Sequence, residues 1–259
     1  DNYIDDACVT PGEKAGFGML FERVLQGQGG FPAGRRAEQV RDLVGLIEAS
    51  YPRGEYPEVY LSLQAIHRAQ MESVSRQGPT TDSSAEKTLR VTIAKGGSSV
   101  LADAYLIRGC LSPEQADFMF GYGVLLQLMD DIQDLSDDLA KAHNTILTER
   151  SAAGPLDDIA SRLWCFASKH LLSQPGPAGA CPERVKRLIR ENCRRILFHA
   201  VALNPDFYSE RFVAMLESCC PFNFSFLRAL AKSLVDERMR ILSTLMRTHQ
   251  ISSIFGLMD

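Results

Sequence analysis

The sequence lacks the features that mark membrane-spanning or nucleic-acid-binding proteins. It has no run of about 18 apolar residues, the length needed to cross a bilayer, although 45% of its 259 residues are hydrophobic. We therefore expect no stable membrane insertion. Basic residues are not in excess, since the net charge is −4 at pH 7. Because binding to nucleic acid depends largely on Lys and Arg at the phosphates, we expect no nucleic-acid partner.

The seven cysteines are scattered along the chain and form none of the CxxC pairs that are typical of zinc sites. Such usage is typical of a reducing compartment, and we recognise no secretory signal peptide. The sequence therefore predicts a cytoplasmic protein. The chain begins with Asp1 and not with Met, inside a candidate acidic motif, so we expect this sequence to be a fragment.

Alternating runs of Val, Ile, Thr and aromatic residues, which indicate β-strands, are also missing. Apolar residues recur instead at helical spacing, which predicts an all-α bundle. Two segments rich in Gly and Pro, 26–34 and 173–182, are too short to indicate a domain boundary, so we expect a single helical domain over residues 1–259. The predicted helices cover residues 1–8, 16–25, 36–50, 56–77, 84–110, 112–138, 156–172, 182–203, 205–219 and 222–249.

The helix predicted over 112–138 is the most informative, because a row of aspartates follows its apolar half. Asp130, Asp134 and Asp138 are spaced four residues apart, which places them on one helical face. Like charges at this spacing repel by about 0.2–0.5 kcal/mol per pair. A row of carboxylates beside a buried segment therefore favours a counter-charge, and hard divalent cations such as Mg²⁺ take oxygen ligands of this kind.

A solvated charged face is the simpler interpretation of such a row. Against it, residues 118–129 are apolar around nearly the whole helix apart from Gln127, so the helix begins in the core. Asp137 is offset from the row and is assigned to solvent. A second pair with the same spacing, Asp1 and Asp5, opens the chain. Two such clusters facing each other across a bundle would hold several Mg²⁺ ions against a diphosphate.

These motifs resemble those of the class I isoprenoid synthases, the all-α group of trans-prenyl diphosphate synthases, squalene and phytoene synthases, and terpene cyclases. The segment from Gly123 to Asp134, G-x-x-x-Q-x-x-D-D-x-x-D, is similar to the second aspartate-rich motif of the prenyl diphosphate synthases. It also resembles the metal triad of terpene cyclases, in which three ligands are spaced four residues apart. The N-terminal D-x-x-x-D-D resembles the first motif in the spacing of squalene synthase-like members.

Two residues between the motifs extend the resemblance. Lys95 resembles the Lys that contacts the diphosphate in the prenyltransferases, and Gln70 resembles the Gln of a mid-helix Gln-x-x-Asp, although Ser73 replaces the Asp. Gly96 and Gly97 follow Lys95. We expect this pair to loosen the helix, so that freed backbone groups and the ammonium meet a phosphate.

The resemblance implies a class I terpenoid synthase-like helical bundle with a central active-site cavity. Because that fold normally has helices before the first motif, it also implies that N-terminal helices are missing from this sequence. It also implies Mg²⁺ as the cofactor, as three ions, with Mn²⁺ as an alternative. The implied substrate partner is a prenyl diphosphate, and a homodimer is left open. The implied metal ligands are Asp1, Asp5, Asp130, Asp134 and Asp138. The implied catalytic residues are Lys95 and Lys141, and the implied substrate-contacting residues are Gln127, Gln70, Gly96, Asn144 and Phe120. For Asn144 helix capping is the alternative, and for Phe120 ordinary core packing.

The type of reaction depends on one departure from the family pattern. Chain-elongating members have an Arg-Arg pair shortly after the first motif, but residues 9–14 contain no Arg, and Arg35-Arg36 lies too far along the chain for that role in the same helix. We therefore expect a terpene synthase, in which a dry cavity protects a carbocation. A prenyl diphosphate synthase is the second expectation and a squalene- or phytoene-type synthase the third. A non-catalytic regulatory subunit of the same fold remains a further alternative.

Overall fold

The computed structural model describes residues 8–29, 34–75, 84–173 and 182–234, and over these residues it contains helices and no β-strand. The predicted all-α class is confirmed. None of the described helices is long and apolar enough to cross a membrane. The helices are α1 (Pro11–Leu25), α2 (Arg35–Ser50), α3 (Pro57–Ser75), α4 (Ala85–Arg108), α5 (Pro113–Gln133), α6 (Leu135–Ala140), α7 (Ile146–Ser151), α8 (Asp157–Ser173), α9 (Pro182–Leu203), a 3₁₀ turn at Pro205–Phe207, α10 (Glu210–Ser218) and α11 (224–234).

Helices α2, α3, α4, α8 and α9 agree with the predicted ranges to within two residues at each end. Helix α1 begins at Pro11, five residues before the start predicted at residue 16. The reason is a capping box: the Thr10 hydroxyl accepts from the Glu13 N–H, and the Glu13 carboxylate accepts from the Thr10 N–H at 2.9 Å. Proline is favourable in the first turn of a helix that is capped in this way.

One described helix is absent from the prediction, and three predicted helices differ from the structure or extend outside the described residues. Helix α7 was not predicted, because its six residues are too few for a periodic pattern. The helix predicted over 205–219 is divided into the 3₁₀ turn and α10, with the Ser209 hydroxyl capping α10. The helix predicted over 1–8 lies outside the described residues except for Cys8, and the one predicted over 222–249 is described only as far as 234.

The structure divides into two compact units, residues 1–197 and 198–259. In the first unit, Arg53 lies between α2 and α3 and fixes the end of α1. Its guanidinium donates to the carbonyls of Val24, at 3.0 Å, and of Leu25, and it lies 4.1 Å from the centroid of the Tyr60 ring. Carbonyls at a helix C-terminus lack partners in a following turn. The Val24 carbonyl also accepts from the Gly27 N–H at 3.0 Å, so the guanidinium adds to that contact and provides a donor for Leu25 O. The apolar core beside it consists of Val24, Leu25, Val40, Val44, Val59 and Tyr60.

Glycines bring α4 and α5 into close contact. A Cβ at Gly96 would lie 2.6 Å from Cβ of Gln127, and a Cβ at Gly123 would overlap the carbonyl oxygen of Gly96. The expectation that Gly96 and Gly97 loosen the helix is wrong, since α4 is continuous through both. Their physical role is steric: without Cβ atoms, the two backbones approach each other directly.

In the second unit, α11 is held by polar contacts at its start. The Phe224 N–H donates to the Glu217 carboxylate at 2.6 Å, and the Phe226 N–H donates to Oδ1 of Asn223 at 2.8 Å. Arg228 donates to the carbonyl of Ala202 at 3.0 Å. These contacts tie α11 to the end of α9 and to α10 within this unit.

Candidate functional site

Three of the predicted metal ligands, Asp130, Asp134 and Asp138, line an open cavity of about 230 Å³ in the first unit. It is formed by the middle of α4, the end of α5, helix α6 and the loop that follows α6. We call it the acidic cavity. Its lining consists of Ser73, Thr88, Val91, Thr92, Lys95, Gln127, Asp130, Asp131, Asp134, Asp138, His143, Asn144 and Thr145.

The three aspartates of the predicted row share this cavity even though the helix that carries them is interrupted. One helix through Asp138 was predicted, but α5 ends at Gln133 and α6 begins at Leu135, because the backbone at Asp134 has φ −92° and ψ 6°. The backbone hydrogen bonds nevertheless continue: the Asp134 N–H donates to Asp130 O at 2.9 Å, and the Asp138 N–H donates to Asp134 O at 2.8 Å. The near-helical spacing across the break keeps all three side chains at one cavity.

Asp131 is the acidic residue of this cavity to which the sequence analysis gave no role. It is 6% exposed, whereas Asp130 and Asp134 are exposed at the cavity mouth. Gln127 Nε2 donates to Asp131 Oδ1 at 2.9 Å, and Oδ2 has no hydrogen-bond partner among the described residues. Burial raises the pKa of Asp131 to about 6, partly offset by the hydrogen bond from Gln127. The adjacent pair Asp130-Asp131 in the motif is the feature of the sequence from which this residue could have been found.

Burial and neighbouring carboxylates also raise the pKa values of Asp130 and Asp138. Desolvation raises the pKa of Asp130, the Asp134 and Asp138 carboxylates raise it further, and Lys95 lowers it. Desolvation also raises the pKa of Asp138, although His143, whose Nδ1 lies 3.3 Å from Asp138 Oδ1, lowers it. Both raised values have the same consequence: a positive charge in the cavity would be electrostatically favourable.

The acidic cavity offers carboxylate oxygens, which are the type of ligand atom that Mg²⁺ prefers. In the part of the chain that is described, no three His, Cys, Asp or Glu side chains are grouped closely enough to hold one ion together. Mg²⁺, however, usually keeps several waters and takes only one or two carboxylates together with substrate phosphates. The open carboxylates of Asp130 and Asp134 and the unpartnered Oδ2 of buried Asp131 are oxygen donors of this type.

The segment after α6 closes one side of the acidic cavity. Ala142 has a left-handed φ of 53°, which lets the His143 N–H reach back to Asp138 O at 2.8 Å. Asn144, a predicted substrate contact, lines the cavity. Lys141, a predicted catalytic residue, is exposed at the end of α6 outside the lining, and its charge contributes to lowering the pKa of Asp138, after the larger effects of desolvation and His143.

A second, larger cavity of about 560 Å³ adjoins the acidic cavity. Its wall is mostly apolar, and we call it the apolar cavity. Lys95 and Gln127 line both cavities and therefore mark their junction. Gln70 lies in the wall of the apolar cavity rather than of the acidic one. The remaining lining residues are Phe17, Phe21, Arg36, Gln39, Val40, Leu43, Leu63, Ile66, His67 and Ser99.

Arg36 is another residue of this region that the sequence analysis set aside. It lies too far along the chain to act in the same helix as the first motif, but α2 carries it to the wall of the apolar cavity, which Lys95 shares. Separation in sequence does not measure separation in space once helices pack side by side.

The remaining predicted residues lie elsewhere. Gly96 is buried at the contact with Gly123, and Phe120 packs its ring against the backbone of Gly97 rather than lining either cavity. Asp1 and Asp5 lie outside the described residues. The structure thus brings together Lys95, Gln127, Asn144 and the aspartates 130, 134 and 138, and it adds Asp131.

Comparisons with known proteins give no match: no family model, no curated protein and no solved structure matches this chain. The assignment of a function therefore rests on the motifs and on the geometry of the two cavities.

Proposed function

We propose that this protein is a class I terpene synthase: it ionises an allylic prenyl diphosphate with Mg²⁺, converts the carbocation to a cyclic or rearranged terpene, and releases diphosphate. The observation that carries the proposal is the junction of the two cavities at Lys95 and Gln127. One side offers carboxylates for cations and a cationic side chain for an anion. The other side offers a mostly apolar wall, and its volume of about 560 Å³ is typical of small-molecule sites. A molecule with a diphosphate head and a hydrocarbon tail suits both sides at once.

The residues at the junction have complementary tasks in this reaction. Half-buried Lys95 places an ammonium where the charge of the leaving diphosphate develops. Asp130, Asp134 and Asp138, with Asp131 beside them, would share the Mg²⁺ ions, each ion held by one or two carboxylates together with the phosphates. The ions would supply Lewis-acid stabilisation of the diphosphate. Gln127 fixes the Asp131 carboxylate through its amide, at 2.9 Å, and so orients the oxygen that remains free.

The apolar cavity has the properties that a carbocation requires. Its Leu, Ile and Val side chains carry no nucleophilic atom that would react with the cation. Phe17 and Phe21 stack with ring centroids 6.3 Å apart and planes 5° apart, and both line this cavity. Their π-faces attract positive charge without acting as nucleophiles.

Arg36 favours a second candidate function, chain elongation by a prenyl diphosphate synthase. Its guanidinium is at the wall of the apolar cavity, and Lys95 lies on the same wall. A guanidinium recognises phosphate in a bidentate manner, so this wall has a place for the diphosphate of a second substrate. The two functions differ in whether isopentenyl diphosphate is consumed.

The test is incubation of the protein with Mg²⁺ and geranyl, farnesyl or geranylgeranyl diphosphate, each with and without isopentenyl diphosphate. Free diphosphate, hydrocarbons and prenyl diphosphates are then quantified. Hydrocarbon and diphosphate from one substrate alone are the expected result. Longer prenyl diphosphates that form only with isopentenyl diphosphate would replace the first function by the second, and no product under any condition would reject both.

Matched variants connect the activity with the acidic cavity. Asp130→Asn and Asp134→Asn keep the shape of the side chain but remove the charge, so both should abolish diphosphate release. Asp137→Asn is the control, because Asp137 is exposed on the same short segment and does not line the cavity. Equal loss of activity in all three variants would show that charge in this region, rather than the cavity, is what matters.

A further inference from the structure

His67 is a buried titratable residue for which the reaction outlined above has no use. It lies on α3, is 6% exposed, and forms part of the wall of the apolar cavity. Its ring meets that of Phe21 edge to face, with centroids 5.1 Å apart. It therefore lies next to one of the two stacked phenylalanines on the wall where a hydrocarbon chain would bind.

A hydrogen bond determines the tautomer of His67. Nε2 lies 2.9 Å from the carbonyl oxygen of Gly18 on α1. A carbonyl oxygen only accepts, so Nε2 carries the proton and, in the neutral ring, Nδ1 carries a lone pair. Nδ1 has no hydrogen-bond partner among the described residues, and the ring to which it belongs lines the apolar cavity.

Burial favours the neutral form of this imidazole. It lowers the pKa of His67 from the ordinary 6.5, with the Gly18 hydrogen bond and the Glu22 carboxylate opposing the shift. Among the described lining residues of the apolar cavity, Arg36 and Lys95 are cationic, and the other polar groups are amides and a hydroxyl. An uncharged imidazole is a stronger base than either of these groups.

We infer that His67 is the base that ends the reaction by accepting a proton from the last carbocation in the apolar cavity. This assignment rests on the proposed function. Nδ1 takes a proton from the carbon next to the cationic carbon. The electron pair of that C–H bond becomes the π bond of the product alkene, and the positive charge moves to the imidazolium. The imidazolium gives its proton to water after the product has left.

Two substitutions separate this chemical role from a structural one. His67→Gln keeps an amide N–H near the position of Nε2 for the Gly18 carbonyl but provides no ring nitrogen at Nδ1. His67→Phe keeps the ring against Phe21 but provides neither nitrogen. Tyr60→Phe is the matched control, since it removes a hydrogen bond from the same helix, Tyr60 Oη to Tyr51 O at 2.7 Å, outside the cavity wall.

The experiment incubates each protein with Mg²⁺ and the prenyl diphosphate from which the wild type forms hydrocarbon, and measures diphosphate release and the distribution of products. Ionisation precedes the proton transfer, so His67→Gln should lower the rate of diphosphate release far less than it lowers the yield of the wild-type alkene. The yield of the wild-type alkene should fall about 100-fold, the usual scale of a lost general base, and alcohols or other alkenes should replace it. Tyr60→Phe should keep the wild-type distribution.

An unchanged product distribution in His67→Gln would overturn the assignment of His67 and leave the proposed function intact. Failure of the wild type itself to release diphosphate from any of the prenyl diphosphates would overturn the proposed function and the role of His67 together. If His67→Phe does not fold, His67→Gln and its control still decide between the two roles.

Discussion

Asp131→Asn should stabilise the metal-free protein at neutral pH, although it alters a residue at the centre of the candidate site. Asp131 is 6% exposed, and only one of its two carboxylate oxygens has a partner, Gln127 Nε2 at 2.9 Å. Ionising such a group costs free energy that the folded protein has to supply. An amide at the same position carries no charge and still accepts the hydrogen bond from Gln127.

The magnitude follows from the pKa of Asp131. A rise from 3.8 to about 6 corresponds to about 3 kcal/mol of lost stability once the carboxyl is ionised. The folded protein binds the proton more tightly than the unfolded chain, so this loss is absent below pH 4, grows between pH 4 and 6, and is complete above pH 6. The amide N–H groups that Asn introduces replace an oxygen without a hydrogen-bond partner. Burying them unpaired lowers the free energy of unfolding by about 1 kcal/mol. The net gain at pH 8 is about 2 kcal/mol, or about 4–8 °C in Tm.

The assay is thermal unfolding of wild type and Asp131→Asn in buffers with EDTA at pH 4 and pH 8. The difference in Tm between the two proteins should favour the variant at pH 8 and shrink or change sign at pH 4. Asp137→Asn, at an exposed position, should match the wild type at both pH values. An Asp131→Asn variant that is less stable than the wild type at pH 8 would refute the argument that the cavity buries an unfavourable charge.

Three other predictions test the packing and the electrostatics of the first unit. Gly123→Ala should lower the free energy of unfolding by about 1–3 kcal/mol in chemical denaturation, because its Cβ would overlap backbone of Gly96; Gly12→Ala, with no atom within 4 Å of the new Cβ, is the control and should not destabilise. Arg53→Lys should cost about 2 kcal/mol by the same measurement, since an ammonium cannot replace the forked contacts with two carbonyls, and full stability would contradict this role. Lys95→Gln should lower kcat for diphosphate release by about 10²–10³ with folding retained, and unchanged kcat would remove Lys95 from the site.

Much of the fold and part of the candidate site could be predicted from the sequence, and particular residues show why. Helical periodicity and caps are local properties, so α2, α3, α4, α8 and α9 were predictable, as was the shared cavity of Asp130, Asp134 and Asp138. The contact between the glycines of α4 and α5 could not be predicted. A glycine that permits close packing of two helices and a glycine that loosens a helix look the same in sequence.

The same limit applies to residues that tertiary packing brings together. Arg36 lies at the apolar cavity because of the way α2 packs, and no local sequence pattern indicates that position. The orientation of His67 depends on a single carbonyl of α1, 49 residues away in the chain. The burial of Asp131 likewise becomes visible only when α4 and the residues after α6 are placed beside α5.

The central claim is that the acidic and apolar cavities form one binding site, joined at Lys95 and Gln127. The most direct test is calorimetric binding of farnesyl thiolodiphosphate, an unreactive analogue, to wild type, Asp130→Asn, Ile66→Trp and the control Asp137→Asn, each with Mg²⁺. Asp130→Asn, which removes a candidate metal ligand, should weaken binding by at least about 10-fold. Ile66→Trp, which fills the apolar cavity, should weaken it to a similar extent, while Asp137→Asn binds like the wild type. Wild-type affinity in Ile66→Trp together with loss in Asp130→Asn would contradict the account, because the hydrocarbon tail would then lie outside the apolar cavity.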